Sequence, residues 1–420
     1  MITAHDMGIA PAPALPVRSN AVPLRERMLR VVLFVTVLAS SVALIEPSPH
    51  DALMGVLALT CLIAGVRFDR MLALPLVLLT VMNIGGLLAY SNAVGWDGTF
   101  QFVVTSIYLA LAALIFASLF ADAGPRRLEI MRSAYVFTAV LSALAGLAGY
   151  FHLAPGGLFL IEDRAAGAFK DPNVFGPFLI WPALAMLERI LLHRVRPLHL
   201  AAVTILLLGL FFSFSRGAWI HFAVSAALLV FLCLLTAPEP RLRFRITLLT
   251  GLSVALLAAA AVVMMSIPSV KDMVADRMHL FNSYDVGSGG RFRLQEIALT
   301  SILDYPNGMG PLEFGRLNGL QQHNVYLQAF LVYGWTGAMA YFLLLASTIY
   351  VGLRAAFVRS PFQPYVITAV AALAGVMVEG FVIDTDHWRH FFLIVGIVWG
   401  AAAATANFVR QSRVLIPAYR

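Results

Sequence analysis

Long, continuously apolar runs alternate with short polar connections along nearly the whole chain. The runs fall at about 29–45, 51–66, 71–90, 101–121, 133–152, 174–192, 197–214, 217–236, 245–267, 324–349, 364–382 and 390–409. A membrane-spanning helix needs roughly 20 mostly apolar residues, whereas a barrel strand shows about 10 of alternating polarity. The pattern therefore predicts an all-α polytopic membrane protein with about twelve transmembrane helices. Pro177 and Pro182 interrupt the 174–192 run, so a kinked or partly re-entrant segment is expected there. Residues 1–28 read as a polar, cytoplasmic N-terminal tail ahead of a single transmembrane domain, 29–420. The small residues Ala10–Leu15 precede the apolar run, whereas in a cleavable leader they would follow it. The connection 268–322, between the ninth and tenth runs, is far longer than the others, and long loops are usually functional or disordered. Its mixed composition predicts a partly helical periplasmic loop folded over the outer face, with a helix over 291–303.

Composition agrees with the pattern. Of 420 residues 60% are hydrophobic and only 12% charged, with a mean hydropathy of +0.85, against roughly 25% charged in a soluble domain. A net charge of +7 would suit a nucleic-acid partner, but its placement points elsewhere. With the N-terminus inside, 20 of the 29 Lys and Arg fall on cytoplasmic pieces, and five of the other nine lie in 268–322. Long loops follow the positive-inside rule weakly. The basic excess is therefore topological, the termini are both expected inside, and no nucleic-acid partner is expected. Cys61 and Cys233 sit in different apolar runs and read as buried small residues, not a disulfide framework.

The polar residues of the outer connections are the candidates for chemistry, because ionisable groups near a membrane are costly. They are Arg164, Lys170, Asp171 and Asn173; Arg216; Arg291 and Arg293; His323 and Asn324; and Asp384, Asp386, His387, Arg389 and His390. Arg216 lies in a turn too short to be a loop, between two apolar runs. It either snorkels to the interface or captures an anion, since guanidinium binds phosphate through paired hydrogen bonds. Two converging arginines would suit a diphosphate. Gly287-Ser-Gly-Gly290, before Arg291, reads as a turn and not a phosphate loop. His323 is either a polar interface residue or a base for a sugar hydroxyl, kept neutral near a helix N-terminus. Asp384-Thr-Asp386 resembles a paired-carboxylate metal motif, but a hydrogen-bonded lid or acceptor loop is the preferred reading. His387 and His390 lack a third zinc ligand, and no metal or cofactor is expected. Glu379, inside the eleventh run, is expected either to pair with an outer arginine or to be structural.

Phe214-Ser-Arg-Gly-Ala-Trp219 resembles the Ser-Arg-Gly signature of the O-antigen ligase and O-antigen polymerase superfamily. So do Gly290-Arg-Phe-Arg, Pro306-Asn-Gly-Met-Gly310, Gln322-His-Asn-Val-Tyr-Leu327 and Gly334-Trp-Thr-Gly337, and Phe169-Lys-Asp-Pro-Asn-Val-Phe-Gly176 is another such segment. The motifs span roughly 165–340, and the architecture matches over the whole chain. The resemblance implies a bacterial inner-membrane enzyme that takes a glycan from an undecaprenyl diphosphate carrier on the periplasmic side. It implies that Arg216 and Arg291 hold the diphosphate and that His323 activates the acceptor hydroxyl, in an inverting, metal-independent transfer. Lys170, Asp171, Arg164, Asn324 and Arg389 are secondary candidates. The acceptor expected is a lipid A-core sugar, as in a ligase, with a polymerase of O-antigen or exopolysaccharide repeats as the alternative. No added soluble domain is visible to bind a protein acceptor. A transporter is the competing class, but it should place charges at the midplane of its spans, whereas here they gather on one face.

Overall fold

The computed structural model describes residues 22–94, 98–122, 124–278 and 290–414. The chain runs through α1 (Leu24–Leu38), α2 (Pro49–Ala64), α3 (Ala73–Tyr90), α4 (Thr99–Ala121) and α5 (Arg126–Tyr150). A two-stranded antiparallel hairpin follows, β1 (Leu160–Ile161) and β2 (Arg164–Ala165), with Ile161 opposite Arg164. Then come α6 (Pro172–Phe178), α7 (Ile180–Leu192), α8 (Pro197–Phe212), α9 (Arg216–Thr236) and α10 (Pro240–Met264). The long connection holds α11 (Pro268–Met278), α12 (Arg291–Asp304) and α13 (Glu313–Asn318), and the chain closes with α14 (Val325–Ala356), α15 (Gln363–Glu379) and α16 (Arg389–Val414).

Each apolar run overlies a helix. Among the described residues, eight stretches are long and apolar enough to cross a membrane, while α2, α8 and α15 are apolar but shorter, and α1 has 15 residues. The protein is an all-α, polytopic membrane protein. The 174–192 run is divided between α6 and α7 at Leu179, with Pro177 inside α6 and Pro182 inside α7, because proline removes a backbone donor and crowds the preceding turn. Helix begins at Leu24, which makes the expected tail five residues shorter. Pro23 precedes α1, and Glu26 in its first turn binds Arg30 and Arg127, both at 2.8 Å.

The core is built where α3 packs on α14, α4 on α16 and α9 on α15. In α15 and α16 residues such as Val370, Leu373, Phe391 and Val398 are fully buried. By contrast α10 buries only Ile246 and leaves Leu248, Val254 and Val262 exposed, as a lipid-facing helix should. The long connection has a small core of its own. Leu294, Ala298 and Ile302 of α12 join Met309 and Phe314 against Leu331 of α14.

A break in α14 receives this loop. Gly334 has φ +64° and ψ 178°, a backbone shape essentially restricted to glycine. Pro306 and Asn307 fill the break, so that a Cβ at Gly334 would stand 2.8 Å from the Asn307 carbonyl carbon. The Trp335 amide donates to Pro306 O at 2.9 Å, and the Met309 amide to Leu331 O at 2.8 Å. Asn92, just after α3, donates to Gly308 O at 2.9 Å. Two sequence motifs, Pro306–Gly310 and Gly334–Gly337, are thus one structural unit. Gly334→Ala should destabilise the protein by about 1–3 kcal/mol and lower the thermal midpoint in detergent. Gly251→Ala, in α10 with open space around it, should leave that midpoint unchanged or slightly raised.

Candidate functional site

The turn between α8 and α9 is held from below. The Ser213 hydroxyl donates to Leu210 O at 2.7 Å, Phe214 adopts φ +47°, and the Ser215 hydroxyl caps α9 by accepting from the Ala218 amide at 3.4 Å. Arg216 is the first residue of α9. Arg164 lies beneath the turn, 4% exposed. It donates Nε to Ser213 O at 2.8 Å and Nη2 to Asn173 Oδ1 at 2.7 Å. Asp171 caps α6 by accepting from the Asn173 amide at 2.8 Å. Arg164 and Asp171 therefore position the turn and α6.

Gly217 lets α15 approach closely, since a Cβ there would stand 2.9 Å from Glu379 Oε1. Of the two readings left open for Glu379, the structural one fits: its Oε2 lies 2.7 Å from Nδ1 of His221 in α9, and both side chains are buried. The other ring nitrogen of His221 faces Ala372 O at 3.1 Å, and a carbonyl requires a donor there. The pair staples α9 to α15 one turn below Arg216.

His323 precedes α14 and adopts φ +49°, a region that histidine tolerates better than most residues. Its side chain is 40% exposed, and Nδ1 lies 3.7 Å from Asp384 Oδ2. Asn324 caps α14, accepting from the Tyr326 and Leu327 amides at 3.0 and 3.2 Å. A polar chain runs behind His323. Gln322 donates to Asp384 at 3.4 Å and to Gln328 at 2.8 Å; Gln328 donates to Asp386 at 2.8 Å, and Tyr333 donates to Asp386 at 2.7 Å. His387 Nδ1 stands 3.3 Å from Asp386 in an ion-pair contact. Burial works against the Asp386 charge, but His387 and the Tyr333 and Gln328 hydrogen bonds outweigh it, holding the carboxyl below its ordinary range.

The three principal residues meet at the end of α15. The Val325 amide, two residues after His323, donates to Gly380 O at 2.9 Å. Gln295, one turn after Arg291 on α12, donates to Phe381 O at 3.3 Å. Arg216 opens the helix stapled to Glu379. Three helix starts thus converge on residues 379–381. Arg291 is placed by its backbone; its side chain, like Gly287–Gly289, lies outside the described residues.

Lys170 and Arg389 sit apart. Lys170 pairs with Glu46 at 3.3 Å, and Arg389 binds Asp51 through two 2.8 Å hydrogen bonds. Asp51 also closes the capping box of α2 with Ser48, so Arg389 ties α16 to α2. Lys170, Asp171 and Arg389 line a pocket of about 150 Å³ with His50, Trp388 and His390. His387, which borders both the pocket and Asp386, is the wall between it and the His323 network. Sequence reading did not single out His221, Gln328, Tyr333 or Asp51. His221 had a usable signal, an ionisable residue inside an apolar run.

Arg164→Ala leaves one buried and one half-buried acceptor without their donor and should cost about 3 kcal/mol. Arg164→Lys should not restore the thermal midpoint, because one ammonium cannot reproduce the guanidinium fork. The lowered carboxyl of Asp386 favours folding above the ordinary aspartate pKa of about 3.9, and this contribution is lost as pH falls through the lower folded value. A midpoint scan from about pH 7 to about pH 3 should show an acid-side fall that is shallower in Asp386→Asn.

No curated protein matches the chain. Residues 201–342, however, match the family model described as O-Antigen ligase. The matched stretch contains Arg216, Arg291 and His323. Over residues 201–342 this membrane protein is similar to the O-antigen ligase family.

Proposed function

We propose that the protein is a ligase-type glycosyltransferase that moves a glycan from undecaprenyl diphosphate to the hydroxyl of a lipid A-core sugar. The observation that supports this most is the convergence of the helix starts at Arg216, Arg291 and His323 on residues 379–381. Helix N-termini favour anions through the helix dipole, and two of these starts bring an arginine as well. In this reading a His323 nitrogen takes the proton of the acceptor hydroxyl, and the oxygen attacks the anomeric carbon from the face opposite the leaving group. The bond from that carbon to the phosphate oxygen breaks. Its electron pair stays with the diphosphate, where Arg216 and Arg291 offset the developing charge. Asp384 steadies the imidazolium. The configuration inverts, no metal ion is required, and no cofactor takes part.

Arginine placement supports a topology with both termini in the cytoplasm and the site on the periplasmic side of an inner membrane. The polar network lies at one end of the bundle, which favours interfacial chemistry over alternating access. The family region serves ligases and polymerases alike, so polymerisation of carrier-linked repeats is the second reading.

Purified protein with undecaprenyl diphosphate-linked oligosaccharide, lipid A-core and EDTA should yield glycan-bearing lipid A-core. His323→Ala should slow turnover by about a hundredfold or more, and Arg216→Ala or Arg291→Ala by a similar factor. A ladder of lengthened carrier-linked glycan without transfer to core would establish the polymerase instead. No turnover of either kind by a folded sample would sink the proposal.

A further inference from the structure

The end of the bundle opposite His323 holds an open groove of about 750 Å³. Its walls come from the α2–α3 and α4–α5 connections, the approach to α15 and the last turns of α16. Arg67, Arg70 and Arg410 line it, all exposed, and among the described residues none of them makes an ion pair. The two carboxylates of the lining are already engaged. Asp69 accepts from the Met71 amide and from Asn407 Nδ2, both at 2.9 Å, and Asp122 lies 3.6 Å from Arg127. Phe68 and Phe408 stand beside these arginines, 50% and 38% exposed. The groove therefore presents three guanidinium groups next to uncovered aromatic surface.

We propose that this groove binds the phosphate headgroup of an anionic phospholipid. Guanidinium groups pair with phosphate oxygens in a fixed planar fork. Basic recesses between membrane helices suit such headgroups, and Phe68 and Phe408 offer an apolar rim to the chains below the phosphate. A free phosphate would use the arginines but not the rim. A diffuse excess of arginine at this end would attract any anionic surface without needing a concave site.

Native mass spectrometry of the full-length protein in detergent, titrated with phosphatidylglycerol or phosphatidylcholine, tests this directly. One phosphatidylglycerol should be retained in strong preference to phosphatidylcholine. Affinity should fall about fivefold for each of Arg67→Gln, Arg70→Gln and Arg410→Gln, and roughly a hundredfold for the triple variant. The Arg194→Gln/Arg196→Gln variant, altered at the same end but outside the groove, should bind like wild type. Equal retention of both lipids would overturn the proposal, as would an equal loss in the Arg194/Arg196 variant, which would mean diffuse attraction. Displacement of the lipid by millimolar inorganic phosphate would mean a free-anion site. If the triple variant does not fold, the single variants decide the outcome, since none removes an ion pair of the described structure.

Discussion

A buried carboxylate must find a partner, and Glu379 finds His221. That contact dictates how one end of the bundle is assembled. It holds α9 against α15 directly below Gly217, which fixes the level at which Arg216 emerges. The next two carbonyls of the same chain, Gly380 and Phe381, then receive the Val325 amide and the Gln295 side chain. One short stretch of backbone thereby sets the mutual register of three helix starts that lie far apart in sequence. Separate loops could not hold them so closely, because each would add its own slack.

The helices were legible because their apolar runs are too long and too continuous for any other element. The break in the 174–192 run was legible because proline announces itself. The break at Gly334 was not, since a glycine inside a helix is common and the loop that fills this one lies well upstream. Long-range pairing was hidden altogether. Nothing near Arg389 points to Asp51, 338 positions away. Arg164 was named as a secondary candidate in an outer connection, yet its burial under the turn that carries Arg216 was not foreseeable from its neighbours in sequence. Glu379 was rightly singled out as an expensive residue, but His221 was not named as its partner, because it sits beside the more conspicuous Arg216.

The family region and the scaffold divide the work. Residues 201–342 contain the three helix starts on which the proposed chemistry rests. Arg164, Glu379, Asp384 and Asp386 lie outside it, and each acts by holding something inside it. Arg164 grips the Ser213 carbonyl, Glu379 grips His221, and the two aspartates face His323 and the side chains behind it. The geometry of the site is therefore a property of the whole bundle, although its principal residues occupy one stretch.

The break at Gly334 also divides α14 by height. The portion from Trp335 to Ala356, at 1.5 Å per residue, is roughly 33 Å long. A hydrocarbon core is about 30 Å thick, so this portion suffices to cross one. The portion from Val325 to Tyr333 adds a mast of about 14 Å on the His323 side of the break. His323 sits at the top of that mast, with α12 and α13 braced against its side. In the proposed reaction, a lipid carrier anchored by its tail would need to bring only its charged headgroup, and not its acyl chain, to the level of this side chain.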